Sequence, residues 1–67
     1  MNTIVELRKA QELTQYQLAV KAGIHPSGLA RIENGGKCNQ ATAARIATAL
    51  GEKPEVVFPT FKELRGW

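Results

Sequence analysis

Apolar residues recur at helical spacing along most of the chain, and no stretch alternates between apolar and polar residues as a strand would. The longest set is Ala43, Ile46, Ala47 and Leu50, at positions i, i+3, i+4 and i+7. This spacing places all of them on one face of an amphipathic helix. Shorter sets at similar spacing precede it. We therefore predict an all-α fold with four to five short helices.

Two start signals occur in the first third of the chain. Residues 3–6 (TIVE) and 14–17 (TQYQ) both have the capping-box pattern, in which the first hydroxyl accepts a backbone N–H and the fourth side chain returns a hydrogen bond. We predict a first helix from about Ile4 to Glu12. A second helix then starts near residue 15 and ends at Gly23, because glycine adopts the left-handed conformation without steric cost.

The third helix starts at a proline. Pro26 loses nothing at the first helical position, where its missing N–H would have no partner, and it forces His25 out of the helical region. The helix is expected to run to Glu33 and to end at the Asn-Gly-Gly sequence of residues 34–36. Gly28 inside it costs about 1 kcal/mol relative to alanine. This glycine is either a tolerated imperfection or a point of close approach to a ligand.

The remaining elements follow similar signals. A fourth helix is expected after Asn39 with Gly51 at its end, and a short helical turn from Pro54 to Phe58, with Phe58 closing the core. Residues 60–63 have the pattern of one more capped turn.

Composition limits the possible functions. The 67 residues form one domain, and a net charge of +3 permits an acidic partner without proving one. The single cysteine, Cys38, excludes an internal disulfide, and no Cys/His cluster has zinc spacing. We expect no metal, no cofactor and no enzyme activity, because paired carboxylates, a nucleophile–base set and a phosphate loop are all missing from the sequence.

No apolar run reaches the roughly 20 residues that cross a bilayer. A cytoplasmic protein without a membrane partner is therefore expected.

Two helices joined at Gly23 form the supersecondary unit that inserts its second helix into the DNA major groove. From Gln15 to Asn34 the chain resembles the helix-turn-helix motif of the phage repressor/Cro (XRE-like) family. The packing positions of that motif are occupied by Leu18, Ala19, Ala22, Gly23, Ile24, Leu29 and Ile32. The resemblance continues through "LRKAQELTQ" and "ARIATALG" and covers about residues 3–58.

The resemblance implies a compact lambda-repressor-like domain in residues 1–58. The motif would span residues 15–34, the recognition helix about 26–33, and a C-terminal tail 59–67. The implied function is sequence-specific binding of double-stranded DNA by a small transcriptional regulator, a repressor that acts as a homodimer on a palindromic or pseudo-palindromic operator. The alternative is a protein-interaction or antitoxin-type module with weak DNA binding. Apolar residues for a dimer or a foreign partner would be Val5, Val57, Phe61 and Trp67.

The resemblance also implies base contacts at the start of the recognition helix. In the family the position that matches Arg31 projects into the major groove, where a guanidinium can pair with both acceptors of guanine; the alternative is a solvated arginine. Ser27 can donate to or accept from a base or a phosphate, or serve only as a hydroxyl at the helix start. Pro26 and Gly28 would let the backbone approach the bases, with a thymine methyl against the proline.

Phosphate contacts are implied for Gln15 at the start of the motif, for His25, and for Asn34 and Lys37 after the recognition helix. Such contacts fix the register on DNA without reading sequence. His25 would act as a helix cap or touch a phosphate. The alternatives for Asn34 and Lys37 are a helix stop and a solvated charge.

The resemblance also implies a structural salt bridge, because Arg8 and Glu33 occupy positions that in the family form an ion pair between the first helix and the end of the recognition helix. The alternative is a pair of exposed charges.

Overall fold

The computed structural model describes residues 3–64, and within them it contains only helices and turns. The α-helices are α1 (Ile4–Ala10), α2 (Gln15–Ala22), α3 (Pro26–Glu33), α4 (Gln40–Leu50) and α5 (Pro54–Val57), followed by a one-turn 3₁₀ helix at Phe61–Glu63. The prediction of an all-α fold with short helices is confirmed. None of the helices between residues 3 and 64 has the length and hydropathy of a membrane-spanning segment.

The core lies between α4 and the helices packed around it. α2 packs against both α3 and α4, and α5 packs against α4. Ala19 of α2 and Ala43 and Ala47 of α4 are fully buried, and their small side chains let the helix axes approach closely. Phe58 is buried at the end of α5, as predicted. The larger buried side chains are Ile4, Leu18, Leu29, Ile46 and Val57.

The start signals differ in outcome. At α2 the capping box is complete: Gln17 N–H donates to Thr14 Oγ1 at 3.1 Å and Thr14 N–H donates to Gln17 Oε1 at 2.9 Å. At α1 the predicted box is wrong, although the helix does begin at Ile4. Thr3 has a non-extended backbone and makes no side-chain cap. Its hydroxyl instead donates to the carbonyl of Val56 at 3.3 Å and links the chain start to α5.

The helix ends were predicted well where glycine stands at the end. Gly23 and Gly51 have φ of 73° and 72° and end α2 and α4 in the left-handed conformation. The first helix departs from the prediction, because α1 ends at Ala10 rather than near Glu12. Glu12 itself takes the left-handed conformation, with φ of 57°. The Leu13 N–H then donates back to the Arg8 carbonyl at 3.0 Å.

The segment after α5 belongs to the core more than the sequence suggested. Phe61 and Leu64 are half-buried against it, and Gln40 Nε2 donates to the Phe61 carbonyl at 3.2 Å. Val57, predicted as an exposed partner contact, is fully buried, because it is on the side of α5 that faces α4. That prediction is wrong. Trp67 lies outside the described residues.

We expect Glu12→Gly to stabilise the protein. A non-glycine residue in the left-handed region costs about 1–2 kcal/mol, whereas the added freedom of glycine in the unfolded chain costs about 0.4–1 kcal/mol. The net gain in the free energy of unfolding should be about 0.5–1 kcal/mol by urea denaturation. Glu6→Gly is the matched control, since Glu6 is exposed inside α1 and should lose about 1 kcal/mol. A loss of stability in both variants would contradict the assignment of strain to Glu12.

Candidate nucleic-acid interface

A tight turn fixes the angle between α2 and α3. The Gly23 N–H donates to the Val20 carbonyl at 3.1 Å, and the Ile24 N–H donates to the Ala19 carbonyl at 3.0 Å. This pair of bonds is the glycine-terminated helix end known as the Schellman motif. Ala19 is fully buried, and its small side chain lets α2 pack closely against α3.

The two faces of α3 have opposite characters. Leu29 and Ile32 are buried in the core, while Ser27 and Arg31 are exposed. Ser27 and Arg31 are one helical turn apart, so both side chains lie on the same outward face. Two of the four residues predicted to touch bases therefore lie on this outward face, and a third, Gly28, is half-buried beside it. Pro26 is half-buried at the helix start.

Arg31 is available to an external partner. Its guanidinium makes no hydrogen bond or ion pair with any of residues 3–64, whereas its backbone carbonyl accepts from the Gly36 N–H at 2.8 Å. A Cβ on Gly36 would lie 2.7 Å from that carbonyl oxygen and from Arg31 Cγ, so only glycine fits. The sequence pattern identified this glycine as part of a helix end but not its close contact with Arg31.

Gly28 is not explained by packing within the chain. A Cβ built at this position meets no atom within 4 Å. Internal crowding is therefore excluded as the reason for a glycine, and the residue offers an uncovered stretch of helix backbone at the surface.

His25 caps α3 with its imidazole. Its backbone is extended, with ψ of 138°, and its Nδ1 accepts from the Ser27 N–H at 3.2 Å. The Ser27 hydroxyl lies 2.7 Å from the same nitrogen. Since Pro26 has no N–H, Ser27 supplies the first unpaired donor of the helix, which is the group that a cap must satisfy.

The other predicted phosphate contacts are at the two ends of the motif. Gln15 begins α2, and its Nε2 donates to Glu33 Oε1 at 2.8 Å. Asn34 ends α3 and Lys37 follows in the loop, both exposed. The sequence did not anticipate the contact between Gln15 and Glu33, because the two residues are 18 positions apart and no local pattern links them.

Arg8 and Glu33 form a two-pronged ion pair. Arg8 Nε donates to Glu33 Oε2 at 2.9 Å, and Arg8 Nη2 donates to Glu33 Oε1 at 3.3 Å. The side chains are only 12% and 3% exposed, so the alternative of two exposed charges does not apply. Arg8 Nη1 also donates to the Leu13 carbonyl at 2.9 Å. The pair therefore links α1, the loop after it and the end of α3.

A family model described as Helix-turn-helix matches residues 4–57, which is most of the chain. The chain belongs to this helix-turn-helix family. The match agrees with an XRE-like domain and supports a DNA-binding regulator. Domains of this family are regulatory and not typically catalytic. No curated protein and no solved structure shows a significant match to the chain.

Other chemistry is sparse in this helix-turn-helix domain. No group of three or more His, Cys, Asp or Glu side chains within residues 3–64 is arranged to hold a metal ion. Cys38 is half-buried in the loop before α4, and desolvation raises the pKa of its thiol above the ordinary value. This favours the protonated thiol over the reactive thiolate.

We expect Arg8→Ala to destabilise the helix-turn-helix domain by about 1–3 kcal/mol, because it removes both hydrogen bonds that Arg8 donates to the nearly buried Glu33 carboxylate. The loss is measured as the free energy of unfolding in urea. Lys62→Ala, at an exposed position, is the control and should change stability by less than about 0.5 kcal/mol. Equal stability of the two variants would show that the ion pair contributes little.

Proposed function

We propose that this protein is a transcriptional repressor that recognises a specific DNA duplex by placing α3 in the major groove. The observation that carries the proposal is the division of α3 into two faces. Leu29 and Ile32 are buried in the core, and Glu33 is held by Arg8. The opposite face presents Ser27 and Arg31 to the outside. A helix held rigidly on one side and polar on the other is what reading of base edges requires.

Arg31 is the principal base-reading residue in this proposal. Its guanidinium is exposed and without a partner among the described residues, and it can donate in parallel to O6 and N7 of a guanine. Ser27 would contact a neighbouring base. Pro26 would meet a thymine methyl, and Gly28 would allow the helix backbone to come close to the groove floor.

Four side chains would hold the DNA backbone: Gln15, His25, Asn34 and Lys37. Gln15 donates one Nε2 hydrogen to Glu33, but the amide group carries two such hydrogens and an acceptor oxygen. It can therefore bind a phosphate while it remains in its present orientation. The net charge of +3 favours approach to DNA.

The proposed repressor binds as a homodimer to a palindromic or pseudo-palindromic operator. Symmetric helix-turn-helix dimers place their recognition helices about 34 Å apart, one turn of DNA or a multiple of it. Partly exposed apolar side chains support such a contact: Val56 of α5 is 49% exposed, and Val5 of α1 and Phe61 after α5 are half-buried.

A protein-interaction role, such as that of an antitoxin, is the second candidate. The observation that favours it is the exposure of Tyr16 and Val20 on α2, at 66% and 60%. These two residues are one turn apart and therefore share a face. A double variant with Tyr16→Ser and Val20→Ser would support this role if it kept its affinity for DNA but no longer bound a purified protein partner.

Selection of bound duplexes from a random pool tests the proposed function directly. We expect Arg31→Ala to cost about 1–3 kcal/mol on the selected site and to relax preference at one base pair in each half-site. Lys37→Ala should instead weaken all duplexes alike and reduce the slope of log affinity on log salt by about 1. The base-reading assignment fails if Arg31→Ala reduces affinity equally for selected and random DNA.

Gly28→Ala separates the two interpretations of this glycine. Because the added methyl meets nothing in the chain, stability should rise by about 1 kcal/mol. If the backbone approaches the bases here, affinity for the selected duplex should fall at the same time. Glu12→Gly is the control, since it is expected to stabilise the protein without changing the α3 surface. Unchanged DNA affinity in Gly28→Ala would show that the glycine is a tolerated imperfection.

A further inference from the structure

His25 and Ser27 make two contacts through one imidazole nitrogen. The Ser27 N–H donates to His25 Nδ1 at 3.2 Å, and a ring nitrogen that accepts from an N–H carries no proton of its own. The Ser27 hydroxyl lies 2.7 Å from the same nitrogen. In the tautomer in which Nδ1 accepts from this N–H, the Ser27 Oγ–H is the donor of the shorter contact.

This arrangement restricts what Ser27 offers to a ligand. A serine hydroxyl has one proton and two lone pairs. With its proton directed at His25, the exposed hydroxyl presents only lone pairs on the outward face of α3. In the major groove, the hydrogen-bond donors on base edges are the exocyclic amino groups, N6 of adenine and N4 of cytosine.

We propose that His25 is a positioning residue that makes Ser27 a hydrogen-bond acceptor, so that Ser27 selects an exocyclic amino group of adenine or cytosine. The inference rests on the proposed function, because it requires α3 to enter the major groove. It also gives His25 a second role. A neutral imidazole that accepts at Nδ1 carries its proton on Nε2, and this N–H is then the donor for a DNA phosphate oxygen.

Pro26 contributes to this geometry. Its ring has no N–H, so the first free donor of α3 is that of Ser27. The imidazole is therefore directed to Ser27 rather than further along the helix. The backbone and side chain of one serine share the same ring nitrogen, and this holds the hydroxyl in one orientation.

The experiment combines protein variants with altered bases. The full chain first selects a duplex from a random pool. Each adenine of the half-site is then replaced by purine and each cytosine by 2-pyrimidinone, which lack the amino group. At one position the replacement should weaken binding by the unaltered protein roughly two- to tenfold, the size of one hydrogen bond. The same replacement should not weaken binding by Ser27→Ala, since the protein variant and the altered base remove the same hydrogen bond. Thr48→Ala, which removes an exposed hydroxyl on α4, should behave like the unaltered protein.

His25→Gly tests the positioning role, because glycine is tolerated at a helix cap and offers no side-chain acceptor. Circular dichroism should show the helices retained. The hydroxyl proton is then free, so the Ser27-dependent effect of amino removal should fall, and a Ser27-dependent effect of 7-deazapurine, which lacks the N7 acceptor, should appear. The proposal is overturned if Ser27 depends on N7 in the unaltered protein, or if no amino replacement distinguishes that protein from Ser27→Ala. If no duplex is enriched at all, the proposed function itself fails, and this inference with it.

Discussion

The placement of α3 depends on the hydrogen bonds that the Glu33 carboxylate accepts. The carboxylate accepts two hydrogen bonds from Arg8 and one from Gln15. These donors come from α1 and from the first residue of α2, while Glu33 is the last residue of α3. Since the carboxylate is only 3% exposed, water cannot replace a lost donor easily. One charged group therefore holds both helices of the motif and the helix before it in a single arrangement.

The parts of the fold that sequence predicts are those decided by neighbouring residues. The sequence correctly predicts the capping box at Thr14 and the proline at the start of α3, because the groups that interact there are close together in the sequence. The predictions for the end of α1 and for the role of Thr3 are wrong, because local sequence does not determine either of them. The Thr3 hydroxyl bonds to Val56, 53 residues away. Glu12 takes a conformation that its side chain disfavours, so its local preference was a poor guide.

The candidate site shows the same division. The spacing of Leu29 and Ile32 predicts which face of α3 is buried, and therefore that Ser27 and Arg31 are exposed. Their contacts with DNA remain predictions. The orientation of the Ser27 hydroxyl depends on its contact with the His25 imidazole. A serine by itself can act as a hydrogen-bond donor or acceptor, so the residue type does not predict this orientation. The prediction that Val57 is exposed is wrong because a four-residue helix is too short for the spacing of apolar residues to show which side is buried.

The separation between the two faces of α3 has a consequence for how this scaffold can change. Arg8, Gln15 and Glu33 make the contacts that hold the motif together. The Arg31 side chain takes no part in them, and a side chain at Gly28 would begin in open space. New residues at these two outward positions leave the supporting hydrogen bonds and the core intact. In the proposed DNA-binding role, a few substitutions on this surface of α3 would therefore change the preferred DNA sequence, while the contacts that position the helix stay the same.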